Sequence, residues 1–160
     1  MSVSRWAFTL LSLVALGGCT YASSFRGPGY DPKSGVTLEG SDRVVVALTK
    51  AVLRDDREGS SDFWTHVFKV EDTLADRPGF VGYALRTELF GPHAWTMTVW
   101  RDEASLDAFV QSDAHQTAIR EALASLKVVR FARFEAGRED VPISWEQAVG
   151  ILETEGRGYD

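Results

Sequence analysis

The segment RVVVALTKAVL, from Arg43 to Leu53, constrains the fold more than any other. It is apolar and largely β-branched at odd and even positions alike, so it reads as a strand buried on both faces. Val44, Val46 and Leu48 fall on one side, and Val45, Ala47 and Thr49 on the other. HAWTMTVW, from His93 to Trp100, repeats the pattern, with Trp95, Met97 and Val99 opposite Thr96, Thr98 and Trp100. A sheet built on these two strands must be covered twice.

The remaining elements follow from period and punctuation. REGSSDFWTHVFKVEDTLADRPG carries Phe63, Val67, Val70 and Leu74 at helical spacing, with Trp64 and Phe68 widening the stripe. Ser60, Ser61 or Asp62 is the expected cap, and Pro78-Gly79 the end. FVGYALRTEL, from Phe80 to Leu89, alternates as a strand and turns at Gly91-Pro92 into His93–Trp100. A helical region spans Glu103 to Leu126, broken at Ser112-Asp113, where Asp113 and Gln116 suggest a capping box. Lys127–Ala136 is the last strand, and Ser144 caps a short terminal helix to Leu152.

The order βαββαβ predicts an α+β, ferredoxin-like fold: an antiparallel sheet with its helices on one face. Two helices cover only one side. The other apolar side is expected to meet the same side of a second copy, making a homodimer.

The N-terminus carries an address. Arg5 is the only charge before Arg26, and the apolar run Trp6–Leu16 leads to Gly17-Gly18-Cys19. This is the layout of a secretory signal, too short to span a membrane. Leu16-Gly17-Gly18-Cys19 resembles the lipobox of bacterial lipoproteins, which implies a diacylglyceryl group on Cys19 as the mature N-terminus. Cys19 is the only cysteine, so no internal disulfide competes for it. Thr20 rather than aspartate follows, which in such lipoproteins implies the outer membrane, facing the periplasm. Removal of residues 1–19 takes away Arg5 alone, leaving 16 basic against 23 acidic residues, a net charge of −7. That balance excludes a nucleic-acid partner and leaves the lipid itself as the membrane link. Residues 20–42, rich in Gly, Ser and Pro, read as a flexible tether, residues 43–136 as the domain, and residues 137–160 as a C-terminal extension with one short helix.

RPGFVGY after the first helix, the strand TMTVW, and WRDEASLDAFVQSDAH occur in an order that resembles the antibiotic biosynthesis monooxygenase family, over about Val44 to Phe134. The resemblance implies a dimeric α+β barrel and a monooxygenase or a relative that degrades heme. The heme-degrading branch uses an asparagine on the first strand, a tryptophan on the second helix and a histidine beyond it. This chain has no asparagine, and aligned through TVW and SD it carries Phe109 and Ile119 at the other two places. The branch that oxidises quinols uses neither metal nor flavin. It employs asparagine, tryptophan and arginine, for which Trp95, Trp100 and Arg86 are of suitable type without matching position by position.

The candidate ligand-binding residues are therefore His115, Trp95, Trp100, Arg86 and Phe109. They would suit a small apolar or aromatic molecule, with no cofactor predicted and heme left as the alternative. His115 shares a stripe with Ile119, Ala122 and Leu126. It reads as a first-turn histidine closing the core, against the alternative of an axial or hydrogen-bonding ligand. His66 and His93 read as surface or turn residues. No Cys/His/Asp grouping has metal-ligand spacing. The functional alternatives are a cofactor-independent monooxygenase and a non-catalytic binding lipoprotein.

Overall fold

The computed structural model describes residues 19–54 and 57–159. The signal region, Arg5 and Trp6–Leu16 included, lies outside the described residues. Its elements are β1 (Thr20–Ala22), β2 (Tyr30–Asp31), β3 (Gly35–Val36), β4 (Arg43–Leu53), α1 (Arg57–Leu74), β5 (Phe80–Glu88), β6 (His93–Trp100), α2 (Glu103–Val110), α3 (Asp113–Leu123), β7 (Leu126–Gly137), α4 (Trp145–Thr154) and β8 (Arg157–Tyr159).

The sheet has six strands in the order β1-β5-β6-β4-β7-β8, antiparallel throughout. Its four central strands give the ferredoxin-like arrangement that the pattern predicts, with α1, α2 and α3 on one face. Gly79 makes the hinge after α1. Its φ of +77° favours glycine, and a Cβ there would stand 2.2 Å from the Ser105 hydroxyl. α1 begins at Arg57, so Ser61 and Asp62 lie inside its first turns rather than at its cap. Phe68, expected in the apolar stripe, stays half exposed with its ring 6.1 Å from Trp64.

The helix break falls as expected, but its cap is Ser112, not Asp113. The Ser112 hydroxyl accepts the His115 N–H at 3.4 Å and donates to Phe109 O at 2.7 Å. Asp113 becomes the first helical residue, where its charge meets the positive helix end. Ser144 and Gln147 form a reciprocal capping box at α4.

The second face of the sheet is covered within the chain. Val44, Val46, Leu48, Trp95, Met97 and Val99 form one cluster with Val141, Ala148 and Leu152 of the C-terminal extension. Phe25, Tyr30, Val36 and Leu38 pack on it from the N-terminal side. The face expected to await a second copy is occupied, so the homodimer loses the motive drawn from an uncovered sheet.

The stretch expected to be a flexible tether supplies half of that cover. β1 pairs with β5, Thr20 opposite Glu88 and Tyr21 opposite Thr87. Ser23 N–H donates to Leu85 O at 2.8 Å, and Gly29 N–H to Val81 O at 3.0 Å. The glycines that suggested flexibility serve contact instead. A Cβ on Gly27 would lie 2.3 Å from the Gly82 Cα, so the segment can lie on β5 only as glycine. Edge pairing satisfies its backbone, and four apolar side chains hold it down.

Candidate functional site: a cleft between the helices and the sheet

The helix-side face of the sheet is roofed in two patches. At one end Val45, Phe80, Tyr83 and Trp100 pack with Leu74, Leu106 and Phe109. At the other, Ala51, Leu53 and Ala94 pack with Phe63, Trp64, Val67 and Ala122. Between them one register row crosses all four central strands: Phe131, Thr49, Thr96 and Leu85. The two threonines and Leu85 are partly exposed and Phe131 is 40% exposed. Thr49 and Thr96 are paired on both sides within the sheet, so their exposure can only be through its face. Ala47 and Thr98, in the next row, are also partly exposed. α3, which packs on α1 and β7, buries no residue fully. Leu85 and Ala47 pack at the edge of the first patch, so the helices leave a shallow, partly covered cleft centred on the threonine hydroxyls.

A chain of aromatic contacts forms one wall. The His115 ring lies 4.5 Å from Phe109, Phe109 stacks on Trp100 at 4.9 Å, and Trp100 meets Phe80 at 5.1 Å. Trp100 Nε1 donates to the Thr98 hydroxyl at 3.0 Å, which joins the wall to the floor. His115 is partly buried, and that burial lowers its pKa from 6.5 despite an opposing hydrogen bond to Val110 O. Its Nδ1 lies 3.2 Å from Val110 O. A carbonyl only accepts, so Nδ1 carries the proton in the neutral ring and Nε2 keeps its lone pair. The Val110 carbonyl at the end of α2 thus holds the imidazole through Nδ1 and leaves Nε2 as the acceptor nitrogen.

Beyond Phe80 the wall ends in a polar group. The Tyr83 hydroxyl makes a short hydrogen bond to the Glu71 carboxylate. Arg26 donates to the same carboxylate at 2.9 Å and lies 4.9 Å over the Tyr83 ring. Burial first, then the Glu71 bond, pushes the Tyr83 phenol up to about 12. Sequence reading missed this trio. Arg26 came from a segment read as linker, which hid its approach to Tyr83 and Glu71.

The five candidate ligand residues separate onto two faces. His115, Phe109 and Trp100 line up on the helix side. Trp95 and Arg86 meet on the opposite face, where the guanidinium lies 5.2 Å over the indole and Lys50 Nζ lies 5.9 Å from it. There His93 stacks on Trp95 at 5.7 Å and its Nδ1 is 2.7 Å from Glu88. Trp95 is buried, and its Nε1 has no hydrogen-bond partner among the described residues. A single pocket containing all five does not form, because strand alternation sends Trp95 and Trp100 opposite ways. His66 Nδ1 is buried and lies 3.0 Å from the Glu121 carboxylate on α3 without hydrogen-bond geometry, so it faces α3 rather than solvent.

Two shallow surface recesses lie elsewhere, about 520 Å³ beside Arg138 and about 380 Å³ between α1 and α3. Neither includes the threonine floor. Among the described residues no group of three or more His, Cys, Asp or Glu could hold a metal ion. Ile119, which the resemblance aligns with the histidine of the heme-degrading branch, offers no donor atom. His115, one turn earlier, is the histidine nearest to that place in the chain.

Residues 50–121 match the family described as antibiotic biosynthesis monooxygenase. No curated protein sequence matches. Among solved structures the chain is similar to a protein of Lactobacillus acidophilus NCFM described provisionally as a monooxygenase, with 21% identity and a TM-score of 0.51. The match covers 62% of this chain, which spans half the length of that protein. It is also similar to SnoaB, a cofactor-independent oxygenase from Streptomyces nogalater, with 16% identity and a TM-score of 0.52, covering 64% of this chain and 99% of that one. A conserved protein from Methanosarcina mazei Go1 superposes with a TM-score of 0.53 at 19% identity, covering 58% and 92%. At these identities the likeness establishes the fold.

Proposed function

We propose that this chain is an envelope lipoprotein whose antibiotic biosynthesis monooxygenase-like domain binds a small aromatic molecule in the cleft above Thr49 and Thr96. The observation that carries the reading is the partly exposed row Phe131-Thr49-Thr96-Leu85 on the helix side of the sheet, with Thr98 beside it. Its apolar ends suit a ring, and its hydroxyls suit a phenol or quinone oxygen. His115 Nε2 is the acceptor at the aromatic wall. Cys19 carries the lipid, and Thr20 after it directs the protein to the outer membrane.

The binding reading is tested by methyl NMR of the soluble segment Thr20–Asp160 titrated with a substituted hydroquinone. The methyl groups of Thr49, Thr96 and Thr98 should move together and saturate, while that of Thr154 stays fixed. Shifts spread evenly over all threonines would contradict a cleft.

A second reading is oxygenation of the bound molecule without a cofactor. It is favoured by the neutral His115, whose Nε2 can take a phenolic proton and leave an electron-rich anion for oxygen. Oxygen uptake that needs the phenol and is lost in His115→Ala would support catalysis. Saturable binding without uptake would leave a binding lipoprotein. Heme is the alternative ligand. A histidine-type spectrum on hemin titration, lost in His115→Ala, would favour it.

A further inference from the structure

The three most exposed large apolar side chains among the described residues are Phe90 at 93%, Tyr21 at 61% and Leu89 at 56%. All three sit around one backbone bond. Leu89 N–H donates to the Cys19 carbonyl at 2.8 Å. Tyr21 is two residues after Cys19, and Phe90 is next to Leu89. Isolated exposed apolar residues are ordinary, but three converging on the expected lipidation site are a patch.

The turn that presents Leu89 and Phe90 is braced. The Glu88 carboxylate holds His93 through its backbone N–H at 3.4 Å and its ring Nδ1 at 2.7 Å. Pro92 O accepts the Leu53 N–H at 2.8 Å, tying the turn to the centre of the sheet. Thr20 and Tyr21 are fixed opposite Glu88 and Thr87. Phe90 is thus held out on a rigid support. No linker separates Cys19 from this patch, because β1 starts at the next residue.

We propose that Tyr21, Leu89 and Phe90 form a membrane-contacting surface that dips into the lipid interface beside the acylated Cys19. This rests on the lipoprotein reading of Cys19. The occupant is a bilayer rather than a protein partner, because a lipid on Cys19 would fix this end of the sheet at the membrane with no slack to turn away. Aromatic and leucine side chains are suited to the boundary between head groups and acyl chains. One acyl-bearing residue holds the protein at the membrane, and the patch sets its orientation. With a net charge of −7, attraction comes from apolar burial rather than from anionic head groups.

The test couples the mature chain through Cys19 to a maleimide lipid in phosphatidylethanolamine–phosphatidylglycerol vesicles. Amide hydrogen exchange is then compared with the same chain in solution. Exchange across residues 88–92 should slow several-fold on the vesicle, while that of residues 137–144 is unchanged. The double variant Leu89→Ser with Phe90→Ser should stay coupled and lose the slowing. Equal exchange at 88–92 in both settings, or slowing that persists in the double variant, would overturn the proposal. Mass spectrometry of Cys19 from cells tests the lipoprotein reading separately. An unmodified mature Cys19 would remove that reading, and with it this surface's role.

Discussion

The Arg138 guanidinium donates to the Leu38 carbonyl at 2.5 Å. It also reaches Val36 O at 3.0 Å and Ser41 O at 3.4 Å. One side chain from the C-terminal extension thereby ties down the N-terminal segment that covers the same sheet face. Arg138→Ala should cost about 1.5–3 kcal/mol, the range for bonds from a charged donor. Urea unfolding measures the cost, and amide exchange of residues 25–38 should quicken first. Arg138→Lys should recover only part, since the compact ammonium lacks the planar spread of the guanidinium that reaches carbonyls at three separate positions.

Because the second sheet face is filled from within, association through it requires displacing residues 25–38 and 141–152. The soluble segment Thr20–Asp160 is expected to sediment as a monomer at micromolar concentration. Deleting residues 137–160 should expose Val46, Leu48 and Met97 and produce dimers or aggregates. A stable dimer of the intact segment, with the N-terminal cover still protected, would point to an interface elsewhere.

Tyr83→Phe should destabilise by about 1–3 kcal/mol, because Glu71 loses its phenolic donor in a partly buried site. The folded phenol sits near 12 against 10 unfolded. Its contribution is present below pH 10 and is lost as pH rises toward 12. Phenolate absorbance should show a tyrosine titrating near the upper value, absent from Tyr83→Phe.

His115 gives the opposite dependence. Burial lowers its folded pKa below 6.5, so the unfolded chain takes up a proton first as pH falls. Its stabilisation is complete above about pH 6.5 and declines below it. His115→Gln should flatten that part of the stability curve, measured as the difference from wild type. At neutral pH, His115→Ala should cost about 1–3 kcal/mol through the lost Val110 bond and Phe109 contact. An unchanged slope in His115→Gln would show that His115 titrates as a free imidazole.

Much of the fold was legible because period-2 and period-3.6 patterns are local. β4, β5, β6 and the Ser112 break fall within a residue or two of where alternation and helical spacing place them. The threonine floor could not be seen, since it depends on which rows the helices cover least. Phe131, Thr49, Thr96 and Leu85 meet only through strand register. The N-terminal cover was misread for a related reason. Gly27 and Gly29 look like linker residues, and only the approach of Gly82 and Val81 reveals them as contact points. Trp95 and Trp100 were placed on opposite faces by alternation alone, but the partners that make them different came from distant segments.

The central claim is that the partly exposed threonine row binds an aromatic molecule, and filling that row tests it most directly. Thr96→Phe places a ring over the cleft floor at a strand position that tolerates aromatics. Tryptophan fluorescence of wild-type Thr20–Asp160 titrated with a substituted hydroquinone should quench saturably, since Trp100 is bonded to Thr98 at the cleft edge. The same titration of Thr96→Phe should show no saturable quenching, while its circular dichroism and melting temperature stay close to wild type. Equal saturable quenching in both proteins, or none in either, would contradict the claim.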